Sequence, residues 1–364
     1  MGLPRSTYVK DGQEGVYHCF CRCVRRAFLC GLDPVTHRDF SHRKTLLLDR
    51  LRHLAAIFAI DVCAYAIMAN HFHLILRTRP DIAASWSDLE VATRWLTLFP
   101  HYNHKQHKLE PPSDMQISAL VNDPKRIAEL RKRLSSLSWF MGRLNEFIAR
   151  AANKEDDVKG RFWESRFKCT ALLDVAAIAA CMAYVDLNPI RAGLASSPED
   201  SNFTSIQQRI RAWHPEMLAQ NSVPIEDIQK PADTSPIPGP LPPRTFVSSD
   251  SSSSWLCPIQ SDTHRRGILQ IPTADYLDLV DKSGRLLRSG KRGAIDADLA
   301  PILLRIGLKP DAWLDTISRF ESRFRLAAGL LSSLRNFADQ IGRHWLTGLT
   351  AARAVFVTSA QQPV

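Results

Sequence analysis

Residues 15–30 (GVYHCFCRCVRRAFLC) and 60–78 (IDVCAYAIMANHFHLILRT) are apolar runs rich in β-branched and aromatic side chains, and both read as strands. Between them, from about residue 43 to 59, RKTLLLDRLRHLAAIFA repeats its apolar positions at helical spacing. The opening pattern is strand, helix, strand. Residues 123–153 (DPKRIAELRKRLSSLSWFMGRLNEFIARAAN) predict a basic amphipathic helix or helix pair, with Asp123 as the cap ahead of Pro124. Residues 159–173 (KGRFWESRFKCTALL) read as a strand or hairpin. Asp174 then caps a helix over VAAIAACMAYVDLN, which Pro189 is expected to end.

The pattern changes after about residue 220. Seven prolines fall between Pro224 and Pro243, and SSDSSSS follows, so residues 222–254 have the composition of a linker with too little to bury. Beyond it, residues 273–287, 309–324 and 330–346 carry helical periodicity. The expected organisation is a principal domain over 1–221, the linker, and a small, mostly helical C-terminal region over 255–364 with no catalytic motif. No internal repeat is visible.

Charge narrows the partners. A net charge of +10 and a pI near 9.3 point to a polyanion, nucleic acid ahead of an anionic membrane. The longest uncharged apolar stretch, VAAIAACMAYV, is too short to span a bilayer, and MGLPRSTYVKDG lacks a signal peptide's apolar core, so a cytoplasmic protein is expected. The eight cysteines form no C-x-x-C pair and read as reduced, buried thiols; Cys19, Cys21 and Cys23 would share one face of a strand.

Two clusters carry candidate chemistry. His71 and His73 alternate in a strand pattern and would project from one face about 7 Å apart, close enough to converge on one divalent ion. Taken alone they read more readily as ordinary sheet histidines, because two ligands do not define a metal site. Tyr184 and Asn188 stand four residues apart in AYVDLNPIRAG and so share a helical face. There a phenol is a potential nucleophile and an amide oxygen a weak third ligand; the alternatives are a buried aromatic and a helix terminator.

MANHFHLIL, GRFWESRFK and YVDLNPIRAGL together resemble the single-tyrosine HUH transposases, specifically the REP-associated tyrosine transposase branch, from about Gly15 to Ile210. The resemblance implies an α+β, ferredoxin-like core whose antiparallel sheet carries His71 and His73 as metal ligands, with Tyr184 as the nucleophile. Asn188 falls where relatives carry a polar third ligand. It also implies single-stranded DNA with hairpin or inverted-repeat structure as partner, Mg²⁺ or Mn²⁺ as cofactor, and a monomer or homodimer. Residues 101–112 (HYNHKQHKLEPP) look like an insertion, and His101, His104 and His107 are not assigned to the metal. Arg161, Trp163, Arg166, Lys168 and Arg191 mix cations with an aromatic plate, the combination that grips phosphates and stacks unpaired bases, while Trp163 reads equally as a core aromatic of a half-buried strand. A DNA-binding regulator without enzymatic activity and a metal-dependent phosphodiesterase are the competing classes.

Overall fold

A computed structural model describes residues 3–24, 29–32, 37–103, 108–213, 255–288 and 299–357. The expected linker, 222–254, lies outside the described residues, as do His104 and His107. The first half runs β1 (Gly15–Arg22), α1 (His42–Ile57), β2 (Ile60–Ile67) and β3 (His71–Thr78). It continues through α2 (Pro80–Ser85), α3 (Asp88–Leu98), a short ribbon of β4 (His101–Asn103) and β5 (Lys108–Glu110), then α4 (Asp114–Val121), α5 (Pro124–Leu134) and α6 (Leu137–Glu155). After β6 (Lys168–Leu172) come α7 (Val175–Asp186), α8 (Asn188–Arg191) and α9 (Ser205–Trp213). The C-terminal region supplies α10 (Thr273–Arg288), α11 (Leu299–Arg305), α12 (Pro310–Arg323), β7 (Ala327–Ala328), α13 (Leu331–Gln340) and α14 (Leu349–Val355).

The sheet order is β2-β3-β1-β6-β7, antiparallel except between β6 and β7. The first four strands, with α1 and α6, are a βαββαβ unit, so the fold is α+β with a ferredoxin-like core. Alternation along the strands sorts the two faces. Cys19 pairs with Leu74 and Cys21 with Phe72 on one face, while Phe20 pairs with His73 on the other. The cysteine face is covered by α1 and α6: Asn145 of α6 donates to Cys21 Sγ at 3.2 Å, and Phe58 beside α1 packs edge-on against Phe140. The histidine face is covered by α7. All eight cysteines are buried free thiols, as their pattern predicts.

Four boundaries differ from the sequence reading. The strand expected over 15–30 ends at Arg22. Residues 60–78 are a hairpin, with Met68 N–H bonded to the His71 carbonyl at 2.9 Å. The strand expected over 159–173 shrinks to β6. Between the pairs Phe20↔Lys168 and Cys23↔Trp163, β1 advances three residues and its partner five, so two extra residues bulge out and interrupt the ladder. The helix expected to run to Asn188 ends before Pro189 but sooner, at Asp186, and Pro189 sits in the first turn of α8, where its missing N–H costs nothing. The caps hold: Asp123 accepts from Arg126 N–H and Asp174 from Ala177 N–H, each at 3.0 Å.

Past the linker the chain joins the same core. Leu256 bridges Val62, and buried Arg77 on β3 donates to Asp61 at 2.6 Å and to the carbonyls of Arg266 and Gly267 at 2.7 and 2.9 Å. Asp186, wholly buried at the end of α7, accepts from Ser205, from the Ile206 amide at 3.0 Å and from the Tyr276 hydroxyl at 2.6 Å. With β7 extending the sheet and α12 lying on α7, one hydrophobic cluster runs from Val9 to Phe356. No helix among the described residues is long and apolar enough to cross a membrane.

Candidate active site

The β3 histidines meet the α7 tyrosine above the middle of the sheet. His71 and His73 have ring centres 5.0 Å apart, and Tyr184 stands edge-on to His73 at 5.6 Å. A third imidazole joins them: His18 of β1 is stacked on His73, hydrogen-bonded Nε2 to Nδ1 at 2.9 Å, and lies 6.0 Å from the Tyr184 ring. His71 Nδ1 is held by Asn70 Oδ1 at 2.6 Å. Burial pushes His18 and His71 down to about 4 and His73 well below its usual value, so all three rings are neutral at physiological pH.

Those features suit a divalent ion. Metal-binding imidazoles are neutral and have the other ring nitrogen tied by a hydrogen bond, and for both His71 and His73 the bond at Nδ1 leaves Nε2 for a ligand role. Among the described residues no three His, Cys, Asp or Glu side chains are arranged to hold a metal ion, so a third protein donor would have to be of another kind. Asn188, nearly buried at the head of α8, is such a donor by type; no hydrogen bond or ring contact joins it to either histidine among the described residues.

Beside the rings opens a cavity of about 810 Å³, lined by His18, Phe20, Lys168, Tyr184 and Arg191 and, from the C-terminal region, by Ser318, Arg319, Glu321 and Arg325. Four cations and one carboxylate give this lining a positive balance suited to phosphate. Arg191 lies over the Tyr184 ring at 4.3 Å and donates to the Ser318 carbonyl at 2.8 Å. The Tyr184 hydroxyl donates to Glu321 Oε2 at 3.2 Å, and Lys168 Nζ is 3.9 Å from the same carboxylate's Oε1. Burial, then the Glu321 charge, push the phenol up to about 12 against the opposing pull of Arg191.

Of the residues expected from sequence, His71, His73, Tyr184, Lys168 and Arg191 come together here. Trp163 does not. It packs edge-on against Phe72 at 5.6 Å, on the sheet face opposite the histidines, and its indole N–H donates to the Asn145 carbonyl at 2.9 Å. Arg161 and Arg166 are exposed and line no part of the cavity. Sequence reasoning missed His18, whose signal was available: if Cys19 and Cys21 face the core, His18 and Phe20 face the other way. Glu321 left no such signal, lying 137 residues from Tyr184 in a helix without motif.

Comparison with known protein families gives no match, and no curated protein matches by sequence. One solved structure, described as a REP-associated tyrosine transposase bound to a REP hairpin, is similar to this chain at 14% identity and a TM-score of 0.34, covering 66% of this chain and 97% of the other.

Proposed function

We propose that this protein is a DNA strand transferase that cuts and rejoins single-stranded DNA near hairpins, using Tyr184 to form a 5′-phosphotyrosyl link. The observation that carries the reading is the placement of the Tyr184 ring edge-on to neutral His73, at a cavity whose charged lining is four cations to one carboxylate. A tyrosine nucleophile conserves the phosphodiester's energy in a covalent link, which the freed 3′-hydroxyl can later reverse. Lys168 and Arg191 would hold phosphate oxygens, and Arg191, lying over the ring, would favour negative charge developing on the phenol oxygen.

His71 and His73, with Asn188 as the third donor expected from its position in the motif, would hold Mg²⁺ or Mn²⁺. When bound, such an ion supplies charge that polarises the scissile phosphate. Phe20, packed against both histidines with ring centres 5.3 and 4.9 Å away, keeps one side of the pair dry.

The test is covalent capture. A labelled pool of single strands carrying a fixed hairpin and randomised flanks, incubated with the protein and Mn²⁺, is expected to give an adduct that survives a denaturing gel. Tyr184→Phe should abolish the adduct and leave DNA retention intact, since only the attacking oxygen is lost. Nicking with no attached protein would point instead to a metal-dependent phosphodiesterase, and binding with neither would point to a regulator.

A further inference from the structure

Tyr184 meets its carboxylate from the far side of the linker. In α12, Trp313, Ile317 and Phe320 are buried at helical spacing and fasten the helix along α7. The helix breaks at Arg319 (φ −126°, ψ 19°). In a regular helix two consecutive residues point about 100° apart, yet beyond this break Phe320 and Glu321 both meet Tyr184, the ring at 5.9 Å and the carboxylate at 3.2 Å. Lys168 stands near Oε1, which leaves Oε2 to the phenol.

We propose that Glu321 is a catalytic residue, the proton acceptor that activates Tyr184, and so that the C-terminal region completes the active site. This rests on the transferase reading above. In cleavage, the proton on Tyr184 Oη passes to Glu321 Oε2 as Oη bonds to phosphorus. The P–O3′ bond breaks, and the 3′ oxygen leaves with the electron pair and takes a proton from water. In rejoining, the 3′-hydroxyl attacks phosphorus and loses its proton to water, while the phenol oxygen departs and recovers its proton from Glu321.

The need for an acceptor is visible in the site. An ordinary tyrosine phenol, with a pKa near 10, is ionised in only about one molecule in 10³ at pH 7, so a nucleophile waiting for spontaneous ionisation would be rarely available. A positioned base removes that requirement and contributes about 10²- to 10⁴-fold. Among the described residues the Glu321 carboxylate is hydrogen-bonded to the Tyr184 hydroxyl, whereas the neutral rings of His18 and His73 stand edge-on to its ring.

The experiment measures single-turnover adduct formation against pH for the full-length wild type, Glu321→Gln, Glu321→Asp and Tyr184→Phe, with the hairpin pool and Mn²⁺. Glu321→Gln keeps the side-chain shape, and a matched melting temperature shows that it is folded; Glu321→Asp serves as the second variant. We expect Glu321→Gln to form adduct at least about a hundredfold more slowly while binding the pool within about twofold of wild type. Its rate should climb about tenfold per pH unit, where the wild-type rate is flatter, and Glu321→Asp should recover part of the loss. If Glu321→Gln stays within about threefold of wild type at every pH, or reacts faster, Glu321 only tethers or restrains the tyrosine and the proposal falls while the transferase reading stands. If wild type gives no adduct that depends on Tyr184, the transferase reading itself falls and takes the proposal with it.

Discussion

His18, His71 and His73 show what burial does to a titratable ring. Desolvation removes their protons at neutral pH, which costs the fold little there and leaves lone pairs for hydrogen bonding and metal. The cost appears in acid. In the unfolded chain these imidazoles titrate near 6.5, so as the pH falls below that value the unfolded state takes up protons that, in the folded state, His18 and His71 refuse until about 4 and His73 also refuses, burial holding it well below its usual value. The stability contributed by the neutral rings is therefore full above about pH 6.5 and lost on the way down through about pH 4. Urea midpoints should drop steeply between pH 7 and pH 4.5, and His18→Gln should flatten that slope. A wild-type midpoint that does not move would mean that water reaches these rings.

At the scale of elements, a single carboxylate does two jobs at the start of the nucleophile's helix. Asp174 caps α7 through Ala177 and also accepts from the Leu330 amide at 2.6 Å, so it joins the helix to the C-terminal region. Asp174→Ala should destabilise the protein by about 1–2 kcal/mol in urea unfolding. Asp174→Asn, which keeps an acceptor for only one of the two amides, should recover only part of this. Trp163 is the contrasting case, an aromatic in a basic segment that packing has turned inward. Truncating it should act through the core: Trp163→Ala is expected to lose about 2–3 kcal/mol of stability while affinity for single strands and for duplex changes equally. A loss confined to single strands would restore its role as a stacking plate.

The whole molecule is held across the linker by buried polar ties as well as by apolar contact. Arg77 to residues 266–267, Tyr276 to Asp186, and β7 on β6 each join the C-terminal region to the sheet or to α7. Parting the halves would break these bonds, a net cost of about 0.5–1.5 kcal/mol for each hydrogen bond, on top of exposing the shared apolar core. Equilibrium unfolding followed by tryptophan fluorescence and by far-ultraviolet circular dichroism should therefore trace one coincident transition. Two separated transitions would show that residues 255–364 fold as an independent unit.

Periodicity alone settled much of this protein. Alternation placed Cys19 and Cys21 on one face, with His71 and His73 opposite Phe72 and Leu74, because a strand's two-residue repeat is a local property of the backbone. Asp123 and Asp174 marked helix starts for an equally local reason, the need of the first amides for an acceptor. Tyr184 and Lys168 were legible as candidates by residue type and motif. What only the tertiary structure decided was company. Pairing of Trp163 with Cys23 set it on the face away from the histidines, β1–β3 pairing brought His18 onto His73, and the break in α12 brought Glu321 to Tyr184. Each depends on contacts between residues distant in the chain, which no local period records.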